Sequence, residues 1–295
     1  MAILPNPEVV ALFERRTSSI QYLVICPETR SCAIVDPVLD FDPKCGSIAT
    51  HSADKILEEI ARRQLKLQWI LDTHPHADHL SAAAYLKDKT GAPTAIGSRV
   101  TAVQNLWKVI YNLPGLATDG SQWDRLFDDG DRFQIGNLQA RVMAAPGHTL
   151  ASITYVIGDA AFIHDTLFMP DAGTARADFP GADPGMLWDT IQGILALPET
   201  TRLFVGHDYQ PGGREPRWHC TVAEQKAGNV HLRRAPTKEE FVALRTERDR
   251  TLPMPALILF ALQVNINGGR LPEPETNGQR YLKYPINRFT SAAWE

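Results

Sequence analysis

The strongest signal in this chain of 295 residues is one short stretch, Thr73-His74-Pro75-His76-Ala77-Asp78-His79. It follows an apolar run, residues 67–71, that has the length and composition of a buried strand. Imidazoles and carboxylates are donors that Zn and Fe bind in proteins, and this stretch holds three imidazoles and one carboxylate. A single histidine here would indicate only a polar loop. The density of donors instead predicts a metal site at the end of a strand.

Three more polar residues occupy the same local setting, namely His148, Asp165 and His207. Each comes shortly after an apolar run that is typical of a strand. Taken alone, each would be interpreted as a cap or a turn residue. Because strand ends at one edge of a sheet lie close together, the repeated setting indicates that all these donors converge on one centre.

The rest of the chain reads as an α/β protein. Strands are predicted at residues 19–26, 31–36, 67–71, 94–96, two within 127–145, 152–157, 160–163 and 202–205. Helices are predicted at residues 53–63, 80–86, 186–197, 222–227 and 239–248. This order favours two mixed sheets with helices packed outside them. Since no clean linker is visible, we predict a single domain over residues 1–295, with a core at about 17–209 and a C-terminal extension at about 210–295.

Composition excludes several classes of protein. The hydrophobic fraction of 44% and the charged fraction of 22% are typical of a globular domain. A net charge of -4 without clustered Lys and Arg argues against a nucleic-acid partner. The most apolar stretch, residues 256–264, is too short to cross a bilayer, and residues 1–16 lack the pattern of a secretory signal. We therefore expect a cytoplasmic protein with no membrane partner and with reduced cysteines.

In order and rough spacing, the donor motifs resemble those of the metallo-β-lactamase superfamily. The matching elements are the loop of residues 74–79, Gly147-His148, Asp165 and Gly206-His207, and the resemblance extends over residues 19–209. It implies a four-layer αββα sandwich with the metal ligands at one sheet edge and, here, a C-terminal helical extension. It is also compatible with a homodimer. The superfamily contains hydrolases and oxidoreductases, so these motifs alone do not choose the chemistry.

Two branches of the superfamily fit best. Glyoxalase II enzymes hydrolyse S-acyl glutathione thioesters with two metal ions. Persulfide dioxygenases use one iron and O₂ to oxidise glutathione persulfide to sulfite and glutathione. The segment Gly173 to Gly181, which contains Arg176-Ala177-Asp178-Phe179, is similar to a glycine-rich loop of the dioxygenases. We therefore predict a persulfide dioxygenase, with a glyoxalase II-like binuclear zinc hydrolase as the alternative.

The resemblance to the dioxygenases implies one Fe(II) per chain, bound by His74, His148 and Asp165. Two imidazoles and one carboxylate leave three octahedral positions for the substrate sulfur and O₂. Four other donors would form a second metal site in glyoxalase II, and in the dioxygenases they surround and orient the iron ligands. These donors are His76, Asp78, His79 and His207.

The remaining expectations concern the substrate. Glutathione carries two carboxylates, so cationic and hydrogen-bonding side chains should line its pocket. Arg176 is the first candidate, and Tyr209 is expected to act both in substrate binding and in catalysis beside the iron. The chain departs from the family at His164, where members usually carry glycine before the carboxylate ligand. The loop of residues 169–175 is also slightly longer than in the animal enzymes.

Overall fold

The computed structural model describes residues 6–289; residues 1–5 and 290–295, which belong to the predicted domain, lie outside this range. The first sheet has six strands. In spatial order they are β1 (Glu8–Glu14), β2 (Ser19–Ile25), β3 (Ser31–Val35), β6 (Lys66–Leu71), β8 (Thr94–Gly97) and β9 (Arg125–Phe127). The central strands β3, β6 and β8 run parallel to one another.

The second sheet also has six strands. They are β10 (Arg132–Ile135), β11 (Leu138–Ala144), β12 (Ile153–Ile157), β13 (Ala160–His164), β14 (Arg202–Val205) and β15 (His219–Thr221). A smaller sheet joins β5 (Ser47–Ala49), β4 (Val38–Asp42) and β7 (Leu80–Ser81). The helices are α1 (His51–Arg62), α2 (Ala83–Thr90), α3 (Val100–Tyr111), α4 (Pro184–Leu195), α5 (Val222–Gly228), α6 (Lys238–Asp249) and α7 (Ile258–Asn265). Within residues 6–289, no helix combines the length and apolar composition needed to cross a membrane.

The two large sheets pack face to face and carry helices on their outer faces. All seven residues of β2 are buried, because one side of the strand faces the second sheet and the other lies beneath helices. Between the sheets, the rings of Tyr22, Phe162 and Phe204 meet with centroids 5.0 to 5.4 Å apart. Burial of such large apolar surfaces is the main stabilising term of the fold. The observed layers confirm the predicted αββα sandwich.

Some boundaries differ from the sequence prediction. The helix expected from Leu80 begins at Ala83, because Leu80 and Ser81 pair with β4 as a short strand. The pattern gave no prediction for β1 or α3, and both are present. β1 and β15 lie outside the predicted core of residues 17–209, and each extends one of the large sheets.

Candidate metal centre

The predicted donors meet at one edge of the sandwich. The loop of residues 73–79 follows β6, His148 follows β11, Asp165 follows β13 and His207 follows β14. Strands β13 and β14 are parallel, so their carboxyl ends deliver Asp165 and His207 to the same place. The structure therefore brings together residues that are far apart in the sequence.

The first donor set consists of His74, His148 and Asp165. Their ligand atoms lie within 4.8 Å of one another, and all three residues are buried. Among the described residues, Nε2 of His74 has no hydrogen-bond partner. A buried polar nitrogen without a partner is costly, unless an ion or water meets it. This orphaned nitrogen and the mixed imidazole–carboxylate donors together fit a metal ion.

Hydrogen bonds fix which nitrogen each imidazole can offer. Nδ1 of His148 lies 2.8 Å from the carbonyl oxygen of Arg176, which can only accept, so Nδ1 carries the proton. The hydroxyl of Thr73 donates to Asp36 at 2.8 Å and therefore accepts from Nδ1 of His74 at 3.1 Å. Burial lowers the pKa of both imidazoles and keeps them neutral. Both Nε2 atoms are thus left with lone pairs for a metal.

The second donor set is held together by hydrogen bonds. His207 lies between two carboxylates, with Nδ1 at 2.6 Å from Asp165 and Nε2 at 2.5 Å from Asp78. Burial opposes protonation of this ring, but the two carboxylates outweigh it and raise the pKa of His207 well above its usual value. Nδ1 of His79 lies 3.1 Å from Asp78 and 3.2 Å from the hydroxyl of Ser19. A protonated His207 can donate to both carboxylates at once.

Beneath the donors lies a layer of buried polar residues that the sequence interpretation missed. Asp36 accepts from the backbone of Thr73 at 2.7 Å and lies 3.1 Å from Nε2 of His76. Burial works against a charged His76, but the Asp36 carboxylate raises its pKa. Asn265 of α7 donates to the carbonyl oxygens of His76 and His79, at 2.8 Å each. Only Asp36 could have been found from sequence, since it too follows a strand at this edge.

His164 packs directly beside the first donor set. Its ring centroid lies 5.1 Å from that of His74, and its backbone has a φ of 41°. Such a conformation is uncommon for any residue except glycine, which accounts for the glycine usual at this position in the family. Nε2 lies 3.2 Å from the hydroxyl of Thr166, and burial lowers the pKa of His164 to about 3. His164 is therefore a neutral side chain packed beside a donor, and its buried Nδ1 has no hydrogen-bond partner among the described residues.

Glycine is required where the chain passes close to the donors. A Cβ on Gly206 would lie 2.6 Å from Oδ1 of Asp165. A Cβ on Gly147, whose φ is 134°, would lie 2.3 Å from the backbone of Leu187. Larger residues at either position would push a donor away from the centre.

A cavity of about 480 Å³ reaches two residues of the first donor set, His148 and Asp165. Asp78, His148 and Asp165 form part of its wall, together with the aromatic rings of Phe168 and Phe179. This cavity is large enough for a peptide-sized ligand. His148, Asp165 and Asp78 can therefore be reached from the cavity, whereas His74 is not part of its wall.

The two predicted substrate-binding residues both line this cavity. The guanidinium of Arg176 bonds to both oxygens of Asp178, at 2.6 and 2.7 Å, and to the carbonyl of Pro253 at 2.7 Å. The positive charge of Arg176 is thus neutralised by Asp178. The ring of Tyr209 stacks on that of His207, with centroids 5.7 Å apart. Desolvation and the nearby carboxylates raise the pKa of Tyr209 to about 12, so its hydroxyl remains a hydrogen-bond donor.

Comparisons with known proteins agree with this geometry. The family model described as the metallo-beta-lactamase superfamily matches residues 16–207. A protein of Xylella fastidiosa named beta-lactamase hydrolase-like protein is 63% identical over 291 residues, which is 99% of this chain and 67% of that protein. The mitochondrial persulfide dioxygenase ETHE1 of Bos taurus is 26% identical over 88% of this chain and 87% of its own length.

The structural comparison gives the same family. The crystal structure of ETHE1 from Myxococcus xanthus superposes with a TM-score of 0.72 and 29% identity, covering 89% of this chain and all of that one. The family match covers more than half of the chain, and it includes every donor that the sequence motifs predicted. This chain therefore belongs to the metallo-beta-lactamase superfamily.

Proposed function

We propose that this protein is a persulfide dioxygenase that binds one Fe(II) through His74, His148 and Asp165. The observation that carries the proposal is the contrast between the two donor sets. Both sets contain imidazole nitrogens without a hydrogen-bond partner among the described residues, namely Nε2 of His74 in the first set, and Nε2 of His79 and both ring nitrogens of His76 in the second. Two donors of the first set, His148 and Asp165, line the cavity. In the second, the His207 ring already bonds to both Asp78 and Asp165. The similarity to the persulfide dioxygenase of Bos taurus supports the same proposed activity.

The overall reaction would convert glutathione persulfide, O₂ and water into glutathione, sulfite and two protons. When bound, Fe(II) would supply open coordination positions and redox chemistry at the persulfide sulfur. The chain itself positions the substrate. Tyr209 lines the cavity, where its hydroxyl can donate a hydrogen bond, and Phe168 and Phe179 give the cavity an apolar wall. Arg176 is proposed to contact the substrate and to hold the segment at Pro253 in the cavity wall.

The proposal is tested by metal analysis and by oxygen uptake. Protein purified without oxygen should contain about one Fe per chain and should consume O₂ when glutathione persulfide is added. His74→Ala should lose the iron and the activity. His219→Ala is the matched control, because His219 lies in β15 and is not among the donors. Full iron content and activity in His74→Ala would refute the ligand assignment.

A binuclear zinc hydrolase of glutathione thioesters is the second candidate. It is favoured by the completeness of the second donor set, since His76, Asp78 and His79 form a cluster of their own. The hydrolase-like name of the Xylella relative points the same way. His79→Ala separates the two candidates. A hydrolase would lose one of two zinc ions and most of its thioesterase activity, whereas a dioxygenase would keep its single iron.

A further inference from the structure

The hydroxyl of Ser19 lies in the middle of the second donor set. Its Oγ is 3.1 Å from Nε2 of His207, 3.2 Å from Nδ1 of His79 and 3.2 Å from Oδ2 of Asp78. Ser19 is the first residue of β2, and only 2% of it is exposed. A single buried side chain of the first sheet therefore contacts three donors of the set.

The direction of these hydrogen bonds follows from the groups behind Ser19. Oγ1 of Thr17 lies 2.7 Å from the carboxylate of Glu14, which can only accept, so Thr17 gives its one hydrogen to Glu14. Oγ of Ser19 lies 2.7 Å from Oγ1 of Thr17, and the hydrogen of this bond must come from Ser19. Ser19 is left with two lone pairs and no hydrogen. It can therefore only accept from the rings of His79 and His207.

The rings of His79 and His207 thus present N–H groups to Ser19. A ring nitrogen that carries a hydrogen has no lone pair to offer a metal. Nε2 of His207 is shared between Ser19 and Asp78, and Nδ1 of the same ring lies 2.6 Å from Asp165. Both nitrogens of His207 are engaged in hydrogen bonds. An ion that uses His207 as a ligand must first displace one of them.

The donors for a second ion are nevertheless present. The ligand atoms of His76, Asp78 and His79 lie within 4.8 Å of one another. Nε2 of His79 has no hydrogen-bond partner in the part of the chain that the structure describes. What opposes a second ion is therefore the group of hydrogen bonds around Ser19, and not a lack of ligands.

We propose that Ser19 is a positioning residue that limits the chain to one metal ion, because it holds His79 and His207 in hydrogen bonds that a second ion would have to break. This inference rests on the proposed function, of which the single iron is a part. Ser19 acts on the donors and is not itself a ligand. Thr17 and Glu14 take up its hydrogen and leave both of its lone pairs for the two rings.

The test counts the ions bound by variants at this position. Metal-free protein, prepared from the purified enzyme with a chelator, is titrated with Co²⁺ without oxygen, and bound ions are counted by visible absorption and elemental analysis. Wild type should bind about one Co²⁺ per chain. Ser19→Ala should bind about two, with the affinity for the second ion raised about tenfold or more.

The expected change follows from counting hydrogen bonds. Without a second ion, Ser19→Ala removes the acceptor of two ring N–H groups. With an ion in place of the hydrogen on His207, the same substitution removes the acceptor of the His79 N–H alone. The variant therefore loses more in the ion-free form of the second set than in the ion-bound form.

Two further variants serve as controls. Ser19→Thr keeps the hydroxyl and should bind about one Co²⁺, as wild type does. Ser31→Ala removes the hydroxyl of another buried serine that begins a strand. Ser31 lies beside Cys26, at the end of β2 opposite to Ser19, and its substitution should also leave about one Co²⁺ per chain. Circular dichroism checks that each variant is folded.

The outcomes separate this inference from the proposed function. The role of Ser19 is refuted if Ser19→Ala binds one ion like wild type, if Ser31→Ala also binds two, or if wild type itself binds two. The proposed function fails, and the role of Ser19 stands, if the ion counts are as expected while the iron-loaded wild type takes up no oxygen with glutathione persulfide. Oxygen uptake by wild type, together with one ion in Ser19→Ala, refutes the role of Ser19 alone.

Discussion

Replacing Asp249 by asparagine should destabilise the protein strongly, because it breaks a buried ion pair near the metal centre. Asp249 and Arg245 are both buried, with side chains 4% and 1% exposed. The second oxygen of Asp249 accepts from the backbone of Ala177 at 2.9 Å. Asparagine keeps the shape and one acceptor, but it leaves the guanidinium of Arg245 buried without an anion.

The expected loss of stability follows from the burial of this ion pair. Breaking a buried ion pair by removing one partner costs about 3–5 kcal/mol in free energy of unfolding. That is a large part of the roughly 5–15 kcal/mol that stabilises a typical domain. The control is Asp178→Asn, which breaks the ion pair with Arg176 in the same loop. The Asp178 side chain is 34% exposed, so this change should cost about 1 kcal/mol or less.

The assay is urea unfolding of the metal-free protein, monitored by circular dichroism, with midpoints compared at equal slope. The loop tied down by Asp249 also carries the Arg176 carbonyl that orients His148. We therefore expect Asp249→Asn to weaken metal binding as well, by about tenfold in a chelator competition. If Asp249→Asn and Asp178→Asn lose equal stability, or if Asp249→Asn loses less than about 1 kcal/mol, the reasoning is wrong.

Three further predictions follow from the centre and its surroundings. Gly206→Ala should weaken metal binding at least tenfold, which is about 1.4 kcal/mol or more, because the added Cβ would displace Asp165. The control is Gly193→Ala, which should leave the metal affinity unchanged because a Cβ there would meet no atom within 4 Å. Burial lowers the pKa of His231 to about 4, so the unfolded chain takes up a proton below about pH 6.5 that the folded protein does not. Stability should therefore fall between pH 6.5 and 4, and His231→Gln should flatten this dependence in unfolding measurements; an unchanged slope would contradict the assignment. Removing the metal with a chelator should lower the midpoint of thermal unfolding. Adding metal at about 100 times its Kd should restore about 2.7 kcal/mol of free energy of unfolding. An unchanged midpoint would mean that the donors hold no ion in the folded state.

The convergence of the donors was predictable from sequence because their signal is local, and their role as iron ligands stays a prediction. His74, His148 and Asp165 each stand just after a strand, and strand ends at one sheet edge must lie together. The order of the motifs then predicted the αββα fold, which the structure confirms.

The supporting residues were not predictable, because their roles depend on long-range contacts. Asn265 reaches the loop of residues 76–79 from 186 and 189 positions away, and no pattern in its own helix indicates this. Arg245 looks like an ordinary charged residue of a helix, yet it is buried against Asp249. Arg176 remains a predicted substrate contact, although Asp178 already meets its charge.

The bonds from Asn265 also impose an order on how the protein is made. Synthesis runs from the amino end, so the loop of residues 76–79 leaves the ribosome long before α7, which begins at Ile258, has been translated. Until then, the carbonyl groups of His76 and His79 lack the amide that fixes them at 2.8 Å. We therefore expect the nascent chain to bind its ion poorly until α7 has been synthesised and has packed against this loop.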